Sequence, residues 1–223
     1  MGASPPSCSL QRFCLLLYRT GPGNSAIAGG GWQKSAATGT IKPPAVSGHL
    51  AALEERPLKV AVIADTHIPG SGRPLPAALL RHLREVALII HLGDVTSPEV
   101  LAHLEEHAPV VGIAGNADLP EIRQHWPRRR VLTLARWRIG LVHGDAGPTP
   151  LAAARRAFAD DPVDCVLFGH SHTPYRAVLG EVLFLNPGSP TLPREAPAPS
   201  FALLHLADRL EGEIVYLPPG RRG

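Results

Sequence analysis

Residues 59–67 read KVAVIADTH, a β-branched apolar run that leads directly into a carboxylate and an imidazole. The run Lys59–Ile63 predicts a buried strand. Asp65 and His67 then follow at its carboxyl end, which is the edge where open α/β sheets place their functional residues. This stretch therefore predicts a strand of the core and one corner of a polar site.

The segments around this strand predict an α/β (α+β) fold. The first three strands alternate with helices, and the second helix has an N-cap, a proline and an early acid at Ser97-Pro98-Glu99. Two later strands are separated by only two residues and predict a hairpin. We expect a single domain of two stacked mixed β-sheets flanked by helices. The predicted helices cover residues 75–86, 97 onward and 149–158, and the predicted strands cover 59–63, 88–91, 110–114, 131–135, 138–142, 163–168, 182–185, 201–207 and 213–217.

The amino-terminal segment differs in composition from the rest of the chain. Residues 1–53 carry four Lys or Arg and no acid, whereas 18 basic and 19 acidic residues follow. The sequence pI of about 9.0 therefore reflects this segment, and the charge of the remainder argues against nucleic acid as a partner. We expect the basic run Arg128–Arg130 in a solvated loop. We interpret residues 1–56 as disordered, with a targeting or extension segment as the open alternative, and residues 57–223 as the folded domain.

The number of cysteines and the length of the apolar runs indicate the cellular location of the protein. The three cysteines Cys8, Cys14 and Cys165 are too few for a disulfide framework, so the reduced cytoplasm is the expected location. Cys165 lies in an apolar run and is expected to be a small buried residue. The longest apolar candidate, residues 13–18, is far shorter than the roughly 18 residues of a membrane span, so no membrane partner is expected.

Five predicted strands end in residues that can bind a metal or a phosphate. Two divalent cations about 3.5 to 4 Å apart need several oxygen and nitrogen ligands and a carboxylate that can bridge them. Residues two apart in an extended segment point to the same side, so each D-x-H or H-x-H pair is expected to face one site. A lone histidine is more often structural, as we expect for His91 and His205, but the ordered series indicates a dinuclear metal site. The motifs are Asp65-Thr66-His67, Gly93-Asp94, Gly115-Asn116, His143-Gly144 and Gly169-His170-Ser171-His172.

The order of these motifs resembles the calcineurin-like metallophosphoesterases, and it is most similar to their small bacterial and archaeal phosphodiesterase branch. Asn186-Pro187-Gly188-Ser189 adds to the resemblance, which covers about residues 58–217. It implies a compact αββα sandwich and two divalent metal ions, manganese first, with nickel, iron or zinc as alternatives. It also implies that Asp94 bridges the metals. The implied ligands are Asp65, His67, Asp94 and His172 for one ion, and Asp94, Asn116, His143 and His170 for the other.

The resemblance implies a metal-dependent phosphodiesterase that hydrolyses a small phosphate ester with a hydroxide held by both metals. Asp94, Asn116 and His143 are the predicted catalytic residues. The sequence lacks the motifs of serine hydrolases and P-loop enzymes. A phosphomonoesterase stays open as an alternative. A non-catalytic protein-interaction scaffold on the same fold is a second alternative, from a different functional class.

One position departs from the family pattern. Ala117 stands where many relatives have a histidine that contacts the phosphate and assists the leaving group. Asp118, the usual partner of that histidine, has nothing obvious to orient. We therefore expect a preference for esters with good leaving groups, such as aryl phosphodiesters.

No substrate-binding residue is assigned from the sequence. Asn186 and Ser189 are interpreted as turn residues in preference to substrate contacts. Arg194 and Arg73 could each hold a phosphate, but we interpret both as solvated loop arginines.

Overall fold

The computed structural model describes residues 57–70 and 72–218, together with the backbone of residues 33–34 and 41–42. These two dipeptides form an antiparallel pair, β1 (Gln33–Lys34) and β2 (Ile41–Lys42). The rest of the predicted extension over residues 1–56 lies outside the described residues, as do the last five residues of the predicted domain. The division of the chain at residue 57 therefore stays a prediction.

The elements of the folded part begin as βαβαβ and end in antiparallel strands. In chain order they are β3 (Leu58–Ile63), α1 (Ala77–Leu83), β4 (Leu88–His91), α2 (Pro98–Glu105), β5 (Val110–Gly112), α3 (Pro120–His125), β6 (Arg129–Leu134), β7 (Trp137–Val142), α4 (Pro150–Ala157), β8 (Cys165–Leu167), β9 (Tyr175–Leu179), β10 (Val182–Asn186), β11 (Ser200–Leu206) and β12 (Leu210–Tyr216).

Ten of these strands form two mixed five-stranded sheets. The first has the order β12-β11-β3-β4-β5, and its β3, β4 and β5 are parallel. The second has the order β6-β7-β8-β10-β9, and its β7, β8 and β10 are parallel. The remaining strands pair antiparallel: β11 with β3 and β12, β6 with β7, and β9 with β10. Each sheet therefore contains three adjacent parallel strands that end at one edge.

Strand β3 is buried on both faces, which explains its continuous apolar sequence. Val60 and Val62 pack into the layer between the two sheets. Ala61 and Ile63 pack into the layer under the helices on the outer face.

Helices cover the outer face of each sheet. Leu79 of α1, Leu101 of α2 and Ile122 of α3 pack against the sheet that contains β3. Ala154 of α4 packs with Val166 of β8 on the other sheet. The predicted αββα sandwich of two mixed sheets is therefore confirmed. Within the described part of the chain, none of the helices has the length and apolarity needed to cross a bilayer.

Among the elements that follow residue 57, two were not predicted. They are α3, a helix of six residues, and β9, an edge strand whose side chains alternate between half-buried and exposed. The short strands β1 and β2 were not predicted either.

The prediction that the basic run Arg128–Arg130 lies in a solvated loop is wrong for Arg129 and Arg130, because these two residues begin β6. Arg128 pairs with Asp145, and Arg129 pairs with Asp161 while its guanidinium lies 4.3 Å from the centre of the Phe158 ring. Arginine stems commonly cover apolar surface in this way. Cys165 is fully buried, as predicted.

Candidate metal centre

The structure brings all seven predicted ligands to the carboxyl ends of the parallel strands. Asp65 and His67 follow β3, and Asp94 follows β4. The remaining ligands follow β5, β7 and β8, and they are Asn116, His143, His170 and His172. Both sheets therefore contribute to one site, which forms where their strand ends meet.

Asp65, His67 and His172 form the first group of ligand atoms. One ligand atom from each of the three lies within 4.8 Å of the others. The Nε2 atoms of His67 and His172 are 3.2 Å apart, and His172 Nε2 lies 3.5 Å from Asp65 Oδ1. Two nitrogens and a carboxylate oxygen that face one another at these distances can bind a single cation.

Asp94, His143 and His170 form the second group, with the same limit of 4.8 Å between their ligand atoms. His143 Nε2 lies 3.3 Å from Asp94 Oδ2 and 3.1 Å from the side-chain oxygen of Asn116. Asn116 is exposed. The second group therefore opens to solvent at Asn116, whereas His143 is fully buried.

The carboxylate of Asp94 lies between the two groups. Its Oδ2 is 3.5 Å from His67 Nε2 in the first group and 3.3 Å from His143 Nε2 in the second. Its Oδ1 accepts a hydrogen bond from the backbone N–H of Ala117 (2.7 Å). Asp94 can therefore offer one oxygen to both groups while the other oxygen is fixed by the backbone.

The donor set fits a pair of divalent cations. Asp65 Oδ1 is buried, and among the described residues it has no hydrogen-bond partner. The other oxygen, Oδ2, accepts the backbone N–H of His170 (2.9 Å). A buried carboxylate oxygen without a partner is unfavourable, and a bound cation would relieve that cost.

Five of the seven ligands adopt left-handed backbone conformations. The φ angles are 56° for Asp65, 45° for His67, 57° for Asp94, 70° for His170 and 60° for His172. The prediction that Asp65 and His67 converge because they lie in an extended segment is therefore wrong, and the same holds for His170 and His172. They converge because the chain turns sharply at each of them. Such conformations cost about 1 kcal/mol or more per residue and occur at sites where the surrounding structure enforces them.

Asp118 stabilises the turn that carries Asp94. Its buried carboxylate accepts four backbone N–H groups, two at each oxygen. They are the N–H groups of Asp94 (2.9 Å) and Gly115 (2.7 Å) at Oδ2, and of Val95 (2.7 Å) and Thr96 (3.0 Å) at Oδ1. The expectation that Asp118 has nothing to orient is therefore wrong, because it ties the loop after β4 to the loop after β5.

Gly115 is required by the same arrangement. A Cβ atom at this position would overlap the carboxylate of Asp94. Glycine therefore allows the backbone after β5 to pass directly beside the carboxylate that lies between the two groups.

Residues after β10 fix the other ligand loops. The side-chain amide of Asn186 donates to the backbone oxygen of Gly169 (2.9 Å) and to Ser171 Oγ (3.1 Å). Ser189 Oγ donates to the backbone oxygen of Asp65 (2.8 Å). Asn186 and Ser189 are fully buried. They are therefore more than turn residues, because they position the loops that carry Asp65 and the two histidines after β8.

His91 also fixes the loops that carry the proposed ligands. It was predicted to be a structural histidine within a strand, and the structure adds that it joins two of these loops. Its Nδ1 accepts the backbone N–H of Gly93 (3.2 Å), so the proton resides on Nε2, which lies 3.3 Å from Thr66 Oγ1. Burial lowers the pKa of His91 to about 4. The neutral ring therefore links the loops after β3 and β4.

Protonation within the centre differs between neighbouring groups. Burial raises the pKa of Asp65 to about 7. Burial would lower the pKa of His143, but its hydrogen bond to Asp94 and the charges of Asp65 and Asp94 raise that pKa to about 9. Burial would raise the pKa of Asp94, but the same hydrogen bond lowers it to about 2. In the metal-free protein at neutral pH, the His143 ring is therefore positively charged, with a proton on both nitrogens.

Comparisons with known proteins find related chains over most of the folded part of the sequence. A family model described as "Calcineurin-like phosphoesterase superfamily domain" matches residues 58–209. A probable metallophosphoesterase of Methanothermobacter thermautotrophicus is 37% identical over 162 residues, which are 70% of this chain and 91% of that protein.

Two solved structures illustrate the range of similar proteins. Vps29 of Entamoeba histolytica in complex with Zn²⁺ is 27% identical, with a TM-score of 0.57 and coverage of 71% of this chain and 99% of that chain. An archaeal phosphodiesterase is 20% identical, with a TM-score of 0.57 and coverage of 72% and 100%, respectively. The latter similarity shows the fold alone.

Metal binding should release protons. His143 must lose its proton to offer Nε2 to a cation, and Asp65 must be ionised. Because their pKa values in the metal-free protein are about 9 and about 7, Mn²⁺ affinity should rise as the pH rises through this range. Titration calorimetry at about pH 7 in buffers of different ionisation enthalpy should show proton release, and His143→Gln should reduce it by about one proton. A binding enthalpy independent of the buffer would contradict this.

Asp118→Ala should destabilise the metal-free protein by at least about 3 kcal/mol, because it leaves four backbone N–H groups without their charged acceptor. Mn²⁺ affinity should fall as well, since Asp94 loses its backbone support. Urea unfolding and metal titration measure these two effects. Asp160→Ala at an exposed position is the matched control and should change stability by no more than about 0.5 kcal/mol. Equal stability of the two variants would contradict the role of Asp118.

Proposed function

This chain belongs to the calcineurin-like phosphoesterase superfamily, and on this basis we propose that it is a metal-dependent phosphodiesterase that acts on a small phosphate ester. The observation that carries the proposal is the pair of ligand groups with the Asp94 carboxylate between them. Asp94 Oδ2 lies 3.5 Å from His67 Nε2 of the first group and 3.3 Å from His143 Nε2 of the second, which is the position that a ligand shared by two cations requires.

We propose Mn²⁺ as the metal, with nickel, iron or zinc as alternatives. When bound, two divalent cations supply Lewis acidity, which lowers the pKa of water and stabilises charge on phosphoryl oxygens. The proposed ligands of one ion are Asp65, His67, Asp94 and His172, and those of the other are Asp94, Asn116, His143 and His170.

The backbone orients the ligand rings toward the centre. His143 Nδ1 lies 2.7 Å from the backbone oxygen of Leu92, and His172 Nδ1 lies 2.5 Å from that of Leu192. A carbonyl oxygen only accepts, so Nδ1 of each ring carries a proton, and Nε2 is the nitrogen left for a cation once His143 has lost its second proton. Fixing the tautomer through the second nitrogen is the usual arrangement for metal-binding histidines.

Asp94, Asn116 and His143 are the proposed catalytic residues. The three side chains lie together, with His143 Nε2 3.3 Å from Asp94 Oδ2 and 3.1 Å from the Asn116 side chain. Of the three, Asn116 is exposed. The amide of Asn116 is therefore accessible to an incoming phosphate ester.

The open side of the centre supports a diester substrate. Asn116 and Ala117 are both exposed. They leave room for the second substituent that distinguishes a diester from a monoester. The proposal includes a cytoplasmic location, because the three cysteines of the sequence are too few for a disulfide framework.

A non-catalytic scaffold is the second candidate function. The observation that favours it is the 27% identity with Vps29, a protein named for vacuolar protein sorting. The structure of that Vps29 contains Zn²⁺, so metal binding by this chain would not separate the two functions. Hydrolysis separates them.

Protein loaded with Mn²⁺ should hydrolyse bis(p-nitrophenyl) phosphate faster than p-nitrophenyl phosphate, and a chelator should abolish both activities. Asp94→Asn should lower kcat by about 10²- to 10³-fold or more, because the carboxylate between the metals is lost. Asp160→Asn, an exposed acid outside the centre, should leave kcat unchanged. The release of p-nitrophenolate measures these rates.

The same assay distinguishes the alternatives. Hydrolysis of the monoester alone would indicate a phosphomonoesterase. Two bound metal ions per chain without hydrolysis of either ester would contradict the proposed activity and favour the scaffold.

The rate should depend steeply on the leaving group. Ala117 offers no acid to protonate a departing alkoxide, so aryl diesters should react much faster than alkyl diesters. The slope of log kcat/KM against the pKa of the leaving phenol, measured with a series of methyl aryl phosphates, reports this dependence. Ala117→His should reduce the slope, with a gain of up to about 10²-fold for the poorest leaving groups. A wild-type rate insensitive to leaving-group pKa would contradict the prediction.

A further inference from the structure

The segment from Ser189 to Arg194 is fixed to the ligand loops at three points. Each contact joins this segment to the backbone or side chain of a loop that carries a proposed ligand. The contacts are Ser189 Oγ with the backbone oxygen of Asp65 (2.8 Å), Thr191 Oγ1 with that of Thr66 (2.6 Å), and His172 Nδ1 with that of Leu192 (2.5 Å). The position of Arg194, two residues after Leu192, is therefore determined by the centre itself.

Arg194 is the second residue of a turn in which Ala196 N–H donates to the backbone oxygen of Pro193 (2.9 Å). Its φ of 49° is left-handed, a conformation that glycine usually supplies in turns. Its side chain is exposed, and among the described residues its guanidinium has no hydrogen bond or ion pair. An arginine in this conformation therefore extends from a fixed turn with its donors available.

The turn that carries Arg194 lies beside the first ligand group. The backbone oxygen of Leu192, two residues before Arg194, lies 2.5 Å from Nδ1 of the proposed ligand His172. The backbone oxygens of Asp65 and Thr66 accept hydrogen bonds from Ser189 and Thr191 of the same segment. A long, exposed arginine side chain that starts at this turn can therefore reach a phosphate held at the centre.

A metal-loaded centre would place positive charge beside that of Arg194. Asp65 and Asp94 bring two negative charges to the groups, whereas two divalent cations bring four positive charges. Arg194 adds a further positive charge on the same side, and like charges at short range repel. The arrangement becomes favourable when an anion binds between the centre and the guanidinium. The planar donor pattern of arginine matches phosphoryl oxygens.

We propose that Arg194 is a substrate-binding residue that donates hydrogen bonds to a non-bridging oxygen of the phosphate held at the metal centre. The inference rests on the proposed function, because it takes the phosphate to be the substrate's reacting group. It replaces the interpretation of Arg194 as a solvated loop arginine. Arg194 thus supplies a contact to the substrate from the chain itself, beside the proposed metal ligands.

Inorganic phosphate is the probe, and titration calorimetry on the Mn²⁺-loaded protein measures its affinity without turnover. Arg194→Ala and Arg194→Gly should both weaken phosphate binding by about 10- to 100-fold, which is the loss of a charge-assisted contact. Glycine also tolerates the left-handed backbone, so Arg194→Gly keeps the turn. Arg194→Lys should lose less phosphate affinity than Arg194→Ala or Arg194→Gly, because lysine keeps the positive charge. Mn²⁺ affinity should stay equal or increase, since a repelling charge is removed.

Arg209→Ala is the matched control. Arg209 is exposed in the turn between β11 and β12. The pairing of Leu206 with Leu58 and of Ala202 with Val62 puts that turn at the start of β3, opposite the end that carries Asp65. This variant should keep the wild-type affinity for phosphate.

Three outcomes would overturn the proposal. They are no phosphate binding by the loaded wild type, wild-type phosphate affinity in Arg194→Gly, and a parallel loss of Mn²⁺ binding in that variant, which would indicate damage to the His172 loop. Failure of the phosphodiesterase proposal gives a different result. Phosphate binding that depends on Arg194 without hydrolysis of any ester would support Arg194 while contradicting the activity.

Discussion

The buried carboxylate of Asp118 is the interaction on which the centre depends. It accepts four backbone N–H groups and joins the loop after β4 to the loop after β5. Those loops carry Asp94 and Asn116. These four hydrogen bonds satisfy both oxygens of a carboxylate that is buried away from water. Asp118 therefore holds Asp94 in its left-handed conformation, with Oδ2 directed between the two ligand groups.

Similar contacts support the remaining loops. Ser189 and Thr191 bind the backbone after β3, and Asn186 binds the backbone after β8. These polar side chains are buried and are satisfied by main-chain groups. The cost of the strained ligand conformations is therefore offset by hydrogen bonds outside the ligand set, as expected of sites that are rigid before the ligand binds.

The two-sheet architecture explains why ligands from distant parts of the chain meet. The parallel strands β3, β4 and β5 end at one edge of their sheet, and β7 and β8 end at the corresponding edge of the other. Packing of the sheets through Val62, Leu141 and Leu167 brings these edges together. The same arrangement serves a metal-dependent hydrolase or an interaction module, since fold alone does not specify activity. In this chain the two proposed ligand groups lie beside the turn that carries the exposed Arg194.

The sequence by itself determined the sandwich and most of its strands, and it singled out the seven residues that the structure brings together as proposed ligands. Buried strands such as β3 and β4 are continuous apolar runs, and a ligand directly after such a run is visible as a local pattern. Only the tertiary structure decided how the ligands are oriented and what fixes them. The left-handed turns at Asp65 and His172 and the roles of Asp118 and Ser189 rest on contacts between residues far apart in the chain, such as Ser189 with Asp65 across 124 positions. No local pattern encodes such contacts, because they form only when both sheets pack and their loops meet.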